Sequence, residues 1–354
     1  MWKKVISLAA AMAIVAGCLA GCGGSGSAGG TAGQSKAQPS ADTFPKKEVT
    51  MVIPFGDSSG TNTIWRAFGA SLEKELGVKV LYENQAGAGG SVGTTYFLNQ
   101  PHDGYTILAS SDATSLFRAN QLIDVDYDDL TPLILVSANC GILVTYPDSK
   151  LDNMDFNQVV DYMKAHPKEI TVGTVGIGSM PWVWWTLFEQ VYGVELTIVN
   201  YDSGGDANTQ LIGKHIDLFI NGYTSGKPLI DAGSIKAIAT MDLERLEGLP
   251  DVPALSELTH DFDSYMPNGS YFVAEVAADT PADVVDKLSD ACTKAYESAD
   301  FQRFIKANSG KMLGITGDAA NEYMKHQQAV NSWLLYDSGN STVSPDSYGV
   351  PRPN

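Results

Sequence analysis

The sequence predicts an α/β protein in which strands and helices alternate. Three observations support this fold class: short β-branched runs recur along the chain, helical stretches separate them, and Gly- and Ser-rich loops follow several of the runs. The 354 residues suggest about two domains. Hydrophobic residues make up 44% of the chain, which is enough to build packed cores.

The first part of the chain contains three predicted strands and two helices. Val49–Phe55 predicts a buried strand, and Thr61–Leu76 predicts a helix with its apolar residues on one face. Val78–Tyr82 predicts a second strand, which glycines connect to a helix near Ser91–Leu98. Tyr105–Ala109 predicts a third strand after an Asp-Gly turn.

The rest of the chain continues the alternation. An aromatic helix follows Ser179, and Thr280 with Pro281 begins a helix near the end of the chain. Because helices separate most of the strands, we expect parallel sheets. The further predicted strands are Leu133–Val136, Gly141–Tyr146, Ile170–Gly173, Leu196–Val199, Leu218–Ile220 and Ile235–Thr240.

Five Gly- and Ser-rich loops follow predicted strands. In parallel α/β folds, ligands bind beyond the carboxyl ends of the strands. Glycine lets backbone N–H groups approach a ligand, and the helices that follow direct their positive ends to the same place. The loops therefore predict a cleft that binds an anion through backbone dipoles and hydroxyls. They are Gly56–Gly60, Gly87–Gly93, Ser110–Ser115, Gly176–Ser179 and Ser203–Gly205.

The beginning of the chain predicts an exported lipoprotein. Two lysines precede an apolar stretch over Val5–Ala20, which predicts a signal peptide over residues 1–21. The stretch ends in Leu-Ala-Gly-Cys, which resembles the bacterial lipobox, so Cys22 would carry the lipid on the outer face of the membrane. Cys18 is a second candidate. Residues 22–44 are rich in Gly and Ser and predict a flexible linker.

Composition excludes several function classes. With 41 acidic and 23 basic residues the net charge is −18, which argues against nucleic-acid binding. No His/Cys cluster has zinc spacing, and the glycines from Gly87 depart from the dinucleotide fingerprint, so we expect no metal and no cofactor. Cys140 and Cys292 are expected to be buried thiols, and a disulfide between them is left open.

A series of short motifs between about Pro45 and Trp333 carries a family resemblance. They are Pro54-Phe55 with Gly60–Arg66, Glu83–Gly90 with Gly93, Asp103–Thr106, Gly176–Ser179, Tyr201–Leu218 and Leu249–Pro253. In this order and spacing they resemble the solute-binding receptors of tripartite tricarboxylate transporters, the Bug-type periplasmic binding proteins.

The resemblance implies a two-lobed α/β fold, the periplasmic-binding-protein type II or Venus flytrap fold. Hinge segments would lie near Thr145 and near Met266. Lobe one would comprise residues 45–145 and 266–335, and lobe two would comprise residues 146–265. Residues 336–354 would form a C-terminal tail on the surface.

The resemblance also implies the function. A monomeric receptor would capture a small organic carboxylate between the lobes and deliver it to a membrane permease of the same transporter type. Whether the ligand is a tri-, di-, mono- or aromatic carboxylate is left open. By position, the implied ligand contacts are Phe55, Ser58, Ser59, Gly60, Thr61, Asn62, Ala88, Gly89, Thr114, Ser179, Trp182, Asp202 and Asn221.

Two departures from the family pattern bear on the ligand. Asn62 stands where the family commonly has an Asp that recognises an amino group, which argues against an amino-acid ligand. Trp182 stands where a His is frequent, with Trp184 and Trp185 beside it. One of these tryptophans could line the cleft and stack on a flat ligand.

A serine hydrolase is the alternative function. Gly56-Asp57-Ser58-Ser59-Gly60 matches G-x-S-x-G between a strand and a helix, as a nucleophile elbow does. A distant His would have to act as the base. The run from Phe55 to Gly60 is longer than the sharp turn of an elbow, which favours the binding protein.

Overall fold

The computed structural model describes residues 44–57, 59–201, 203–308 and 310–353. The predicted signal peptide, both lipidation candidates, Ser58 and Asp202 lie outside these residues. Within them the strands are β1 (Val49–Ile53), β2 (Val80–Asn84), β3 (Thr106–Ser111), β4 (Leu130–Asn139), β5 (Gly141–Thr145), β6 (Thr171–Thr174), β7 (Thr197–Asn200), β8 (Leu218–Gly222), β9 (Lys236–Met241), β10 (Ser270–Ala277) and β11 (Lys311–Ile315).

Helices separate most of these strands. They are α1 (Gly60–Leu76), α2 (Ser91–Leu98), α3 (Phe156–Ala165), α4 (Met180–Tyr192), α5 (Gly204–Ile212), α6 (Tyr223–Asp231), α7 (Leu255–Leu258), α8 (Ala282–Glu297), α9 (Ala299–Asn308) and α10 (Gly317–Asp337). In the described part of the chain, no helix is both long enough and apolar enough to cross a bilayer.

The strands form two mixed sheets. The first has the order β11-β4-β10-β3-β1-β2, and the second β7-β6-β8-β5-β9. Pairing is parallel in β2-β1-β3 and in β7-β6-β8, but β10 and β11 in the first sheet and β5 in the second run antiparallel to their neighbours. The expectation of parallel sheets was therefore wrong in part: the first strand after each crossing between the sheets, β5 and then β10, runs opposite to the parallel strands, and so does β11 at the edge of the first sheet.

The chain changes from the first sheet to the second at Cys140, between β4 and β5. The sequence analysis expected this crossing later, near Thr145, and counted 141–145 in lobe one, whereas β5 pairs with β8 and β9 of the second sheet. The chain returns through the run between β9 and β10, which includes Met266. The thiols of Cys140 and Cys292 are buried and free, so they form no disulfide with each other.

Each sheet has its own apolar core, and α10 contributes to both. Trp65 and Phe68 of α1 pack on the first sheet with α8 and α9. Trp184, Trp185 and other aromatic residues of α4 form the core of the second. Ala320 and Met324, in the first half of α10, pack on the first sheet, whereas Leu334 and Leu335, near its end, belong to the second core.

Candidate functional site

All five predicted loops lie at the carboxyl ends of parallel strands. Three follow β1, β2 and β3 of the first sheet, and two follow β6 and β7 of the second. The first three converge at Gly90, where an added Cβ would lie 3.5 Å from the Phe55 ring and 3.5 Å from the Ala113 Cβ. Backbone and small side chains therefore line this edge of the first sheet.

The first loop ends in a helix start without acidic residues. Ser59 is the N-cap of α1, and its Oγ accepts a hydrogen bond from Asn62 N at 3.1 Å. The N–H groups of Gly60 and Thr61 have no partner within the helix, because the first turn of a helix has none to offer. Gly60 is exposed and Thr61 partly exposed, so the positive end of α1 is accessible.

The buried side chain of Asn62 holds the first loop in place through hydrogen bonds. It is 5% exposed; its Nδ2 donates to the Asp57 carbonyl at 2.6 Å, and its Oδ1 accepts from Arg66 Nε and Asn84 Nδ2, each at 3.0 Å. Arg66 also donates to Asn84 Oδ1 at 3.2 Å and lies over the Tyr82 ring. Its side chain is thus held by neutral partners, with the exposed Asp57 carboxylate 3.7 Å away.

The second loop has an unusual backbone. Gly87, Ala88, Gly89 and Gly90 all have positive φ, with Ala88 at +43°. A Cβ-bearing residue in this region costs about 1 kcal/mol, so the loop holds Ala88 in a conformation that glycine would adopt freely. The loop packs closely on the first one, since an added Cβ on Gly93 would lie 2.7 Å from the Pro54 Cα.

The third loop brings in a carboxyl that the sequence analysis passed over. Thr114 is 1% exposed, and within the described residues its Oγ1 has no hydrogen-bond partner. Two residues earlier, burial raises the pKa of Asp112 to about 6, although hydrogen bonds from its own backbone, Ser111 and Ser270 act to lower it. In the sequence, Asp112 is the one acidic residue of the run Ser110–Ser115, and this position among hydroxyl side chains is the signal by which the carboxyl could have been predicted.

Two predicted contacts lie at the start of α4, which follows the loop after β6. Ser179 begins α4, and its Oγ donates to the Gly176 carbonyl at 2.7 Å. All three tryptophans belong to the core of the second sheet; Trp184 and Trp185 are fully buried, and Trp182 is 6% exposed. Of the three tryptophans, therefore, only Trp182 has any surface to offer a ligand.

Asn221, at the end of β8, is buried and already bonded. Its Nδ2 donates to Asn208 Oδ1 at 2.6 Å, and its Oδ1 accepts from Ser225 Oγ at 2.7 Å. One N–H of the amide remains for another acceptor. Nearby, Ser203 caps α5 and bonds to Asp206, an acidic residue in the first turn of that helix.

The loops of the two sheets meet. An added Cβ on Gly178, after β6, would lie 3.0 Å from Leu116 Cδ1, which follows the third loop of the first sheet. Beside this contact Ile177 is 61% exposed. The site is thus bordered by both sheets, with helix starts from each.

Within the described residues, no hydrogen bond joins a histidine to Ser59, the serine of the G-x-S-x-G motif that the structure describes. His102 bonds to Asp279 and the Leu98 carbonyl, and His166 to the Tyr162 carbonyl, whereas Ser59 Oγ is the helix cap. Ser58, the elbow position of the motif, lies outside the described residues.

These features define a class: a two-lobed periplasmic-binding-protein fold with loops from both sheets bordering the site. A solute-binding protein of the TctC type from Polaromonas has the same fold, with a TM-score of 0.75, 20% identity, and coverage of 83% of this chain and 100% of that one. Two further structures are MatC from Rhodopseudomonas palustris with bound malate, at TM-score 0.64 and 22% identity, and Rpa4515 from R. palustris with adipate, at TM-score 0.67 and 22% identity. The alignments cover 82% and 84% of this chain, and 100% and 98% of those chains.

Sequence comparison identifies the family. The tripartite tricarboxylate transporter family receptor model matches residues 64–333. Protein BugT of Bordetella pertussis is 32% identical over 223 residues, which are 62% of this chain and 68% of BugT. The chain belongs to the tripartite tricarboxylate transporter receptor family. The predicted family is therefore confirmed. Its members are exported receptors and not enzymes, so the predicted non-enzymatic function is confirmed as well.

Proposed function

We propose that this receptor captures a small organic carboxylate between its two lobes and delivers it to a permease of the tripartite tricarboxylate type. The observation that carries the proposal is the convergence of three Gly- and Ser-rich loops at one edge of the first sheet, where they meet the Gly176–Ser179 loop of the second. Structural neighbours that hold malate and adipate support a carboxylate ligand.

The distribution of charge favours the first lobe as the anion-binding side. The first turns of α1 and α2 both lack acidic residues, whereas in the second lobe α4 lacks them but α5 has Asp206. An anion gains from the positive end of a helix and loses beside a carboxylate. A ligand carboxylate would therefore contact Ser59, Gly60 and Thr61 together with Ala88 and Gly89.

The remaining predicted contacts would hold the rest of the ligand. Within the described part of the chain, the Thr114 hydroxyl has no partner, and one N–H of the Asn221 amide is left for another acceptor. Phe55, beside Gly90, would border the ligand at the loop junction. Asn62 would act indirectly, because its polar atoms hold Asp57, Asn84 and Arg66 in place. Ser58, Ser179, Trp182 and Asp202 complete the proposed site.

Lobe closure would trap the ligand, with hinges at the crossing at Cys140 and at the return run near Met266. A thermal-shift screen of tri-, di-, mono- and aromatic carboxylates tests the proposal, because ligand binding stabilises the folded state. We expect at least one class to raise the Tm and to bind with one-to-one stoichiometry in calorimetry. Failure of every carboxylate class would refute the proposal, and labelling of Ser58 by a covalent serine probe would favour the hydrolase.

Ser59→Asp tests the placement of the carboxylate. Asp caps helices as well as Ser does, so the fold should persist while ligand and loop carry like charges. Coulomb repulsion at a partly exposed site predicts roughly tenfold to hundredfold weaker binding. Ser59→Asn is the matched control, since Asn caps equally well without charge. Equal affinity of the Asp and Asn variants would refute this placement.

We also propose a lipid anchor at Cys22 on the outer face of the membrane, with residues 22–44 as a tether. Partition of the expressed protein between detergent and water tests it. Cys22→Ala should move the protein to the aqueous phase, and Cys18→Ala should leave it in the detergent phase. The reverse outcome would assign the lipid to Cys18.

We propose a monomer, which light scattering of the delipidated protein tests.

A further inference from the structure

We propose that residues 338–353, named here the C-terminal strap, hold the third cleft loop in place and act as a positioning element of the ligand site. The inference rests on the proposed function of the cleft. The sequence analysis expected a tail on the surface, but the strap folds back onto the protein, and Ser341 and Val350 are buried at 7% and 5% exposure. The strap lies beyond residue 333, where the family match ends.

The far end of the strap is fastened to α10. Trp333 Nε1 donates to the Val350 carbonyl at 3.1 Å. The Arg352 guanidinium lies 3.9 Å from the centre of the Trp333 ring and donates to both carboxylate oxygens of Asp337, at 2.6 and 2.9 Å. A stacked, bidentate arginine fixes direction as well as distance. The strap is thus attached at both ends, covalently at Asp337 and through these contacts near Arg352.

The middle of the strap contacts the segment 117–124, which follows the third cleft loop. Ser341 Oγ donates to the Ala119 carbonyl at 2.7 Å. Gln121 Nε2 donates to Thr342 Oγ1 at 3.2 Å. A buried carbonyl without a donor is costly, so the Ser341 hydroxyl fixes the Ala119 backbone at this point.

The segment 117–124 transmits this restraint to the cleft. Phe117 N donates to the Thr114 carbonyl at 3.3 Å, which joins the segment directly to the third loop. Leu122 Cδ1 lies 3.8 Å from where a Cβ on Gly89 of the second loop would be. The strap therefore acts on the third loop through the chain and reaches the second loop through Leu122.

The strap's contacts are mostly polar, and its own apolar contacts form a small cluster of Val350 with Ala329 and Trp333, although Ala119 of the segment packs in the core of the second sheet. Loss of the strap's contacts should free the segment 117–124 more than it lowers global stability, because local opening depends on the contacts of the segment itself. A cleft whose loops must first be ordered binds its ligand more weakly. Affinity and local hydrogen exchange are therefore the sensitive measurements.

The experiment compares Ser341→Ala, Ser341→Thr and a chain that ends at Asp337. Calorimetry gives affinity for the strongest carboxylate of the screen, and hydrogen exchange reports on residues 111–124 in ligand-free protein. Ser347→Ala is the matched control, because among the described residues the Ser347 hydroxyl bonds only within the strap, to the Ser344 carbonyl.

We expect the shortened chain to bind roughly tenfold more weakly and Ser341→Ala roughly threefold, with faster exchange in 111–124 in both. Ser341→Thr should restore affinity and protection, and Ser347→Ala should match the wild type. If the shortened chain does not fold, Ser341→Ala decides the outcome. Unchanged affinity and exchange in Ser341→Ala would overturn the proposal. If the wild type binds no carboxylate, the proposed function fails, and the exchange measurement alone still decides whether the strap holds the loop.

Discussion

Replacement of Glu275 by Gln is expected to stabilise the protein at neutral and alkaline pH but not at acid pH. Glu275 lies in β10 between Leu108 of β3 and Pro132 of β4 and is fully buried. Among the described residues, neither of its carboxylate oxygens has a hydrogen-bond partner. Burial alone raises the pKa of Glu275 from 4.5 to about 8.

The sign of the effect follows from proton uptake on folding. In the unfolded chain the carboxyl loses its proton near pH 4.5, whereas in the folded protein it keeps the proton up to about pH 8. Stability is therefore fully present below pH 4.5 and falls as the pH rises towards 8, because the folded state binds more protons. The gap between the folded and unfolded pKa lowers the free energy of unfolding by about 5 kcal/mol above pH 8 and by about 3 kcal/mol at pH 7.

Urea unfolding of the wild type and Glu275→Gln near pH 4.5, 7 and 8.5 would measure about these differences in the free energy of unfolding. Gln cannot ionise, so its advantage should grow with pH. Glu297→Gln, the same change at an exposed position of α8, is the control and should show no such trend. A pH-independent difference, or a more stable wild type at alkaline pH, would refute the reasoning.

Three further predictions concern the cleft, the crossing between sheets and loop packing. In the wild type, the affinity for a carboxylate should fall roughly fivefold as the pH rises through about 6, because Asp112 loses its proton and becomes negatively charged. Asp112→Asn should abolish this fall, which calorimetry with a fully ionised ligand would detect. Lys311→Met removes the cation 2.8 Å from the buried Asp242 and should cost about 3 kcal/mol in urea unfolding, whereas Lys306→Met, in an exposed pair, should cost under about 0.5 kcal/mol. Gly93→Ala should lower stability by about 2 kcal/mol, because the new Cβ would lie within 2.7 Å of two backbone atoms; unchanged unfolding would contradict this packing.

The sequence predicted the loops well because their signals are local. Hydrophobic periodicity placed α1, and the preceding Gly-rich turn placed α2, within a residue of their observed bounds, and the glycines and serines between segments marked where strands end. All five loops accordingly fall at strand ends in the structure. The order of motifs along the chain then identified the family, which local pattern alone could not do.

What the sequence did not predict depends on contacts between distant residues. β11 (Lys311–Ile315) contains a glycine, and β10 (Ser270–Ala277) contains the acidic residue Glu275, so neither has the sequence pattern of a buried strand. Their antiparallel pairing with β4 is set by the return of the chain from the second sheet. Asn62 was predicted to face the ligand, yet its partners Arg66 and Asn84 come together only in the folded protein.

An acidic protein can bind an anionic ligand, because the local charge around the binding site differs from the net charge of the whole chain. Burial raises the pKa of Asp112 to about 6, so part of its negative charge is lost in mildly acid conditions, and Asp57 lies 3.7 Å from Arg66. Other acidic residues act across solvent, where salt screens charges beyond roughly 8 Å. Helix starts and loop N–H groups contribute at hydrogen-bond distance and are not screened in this way. The net charge thus argues against partners with extended phosphate surfaces, whereas we expect the local backbone to set the sign of a small ligand.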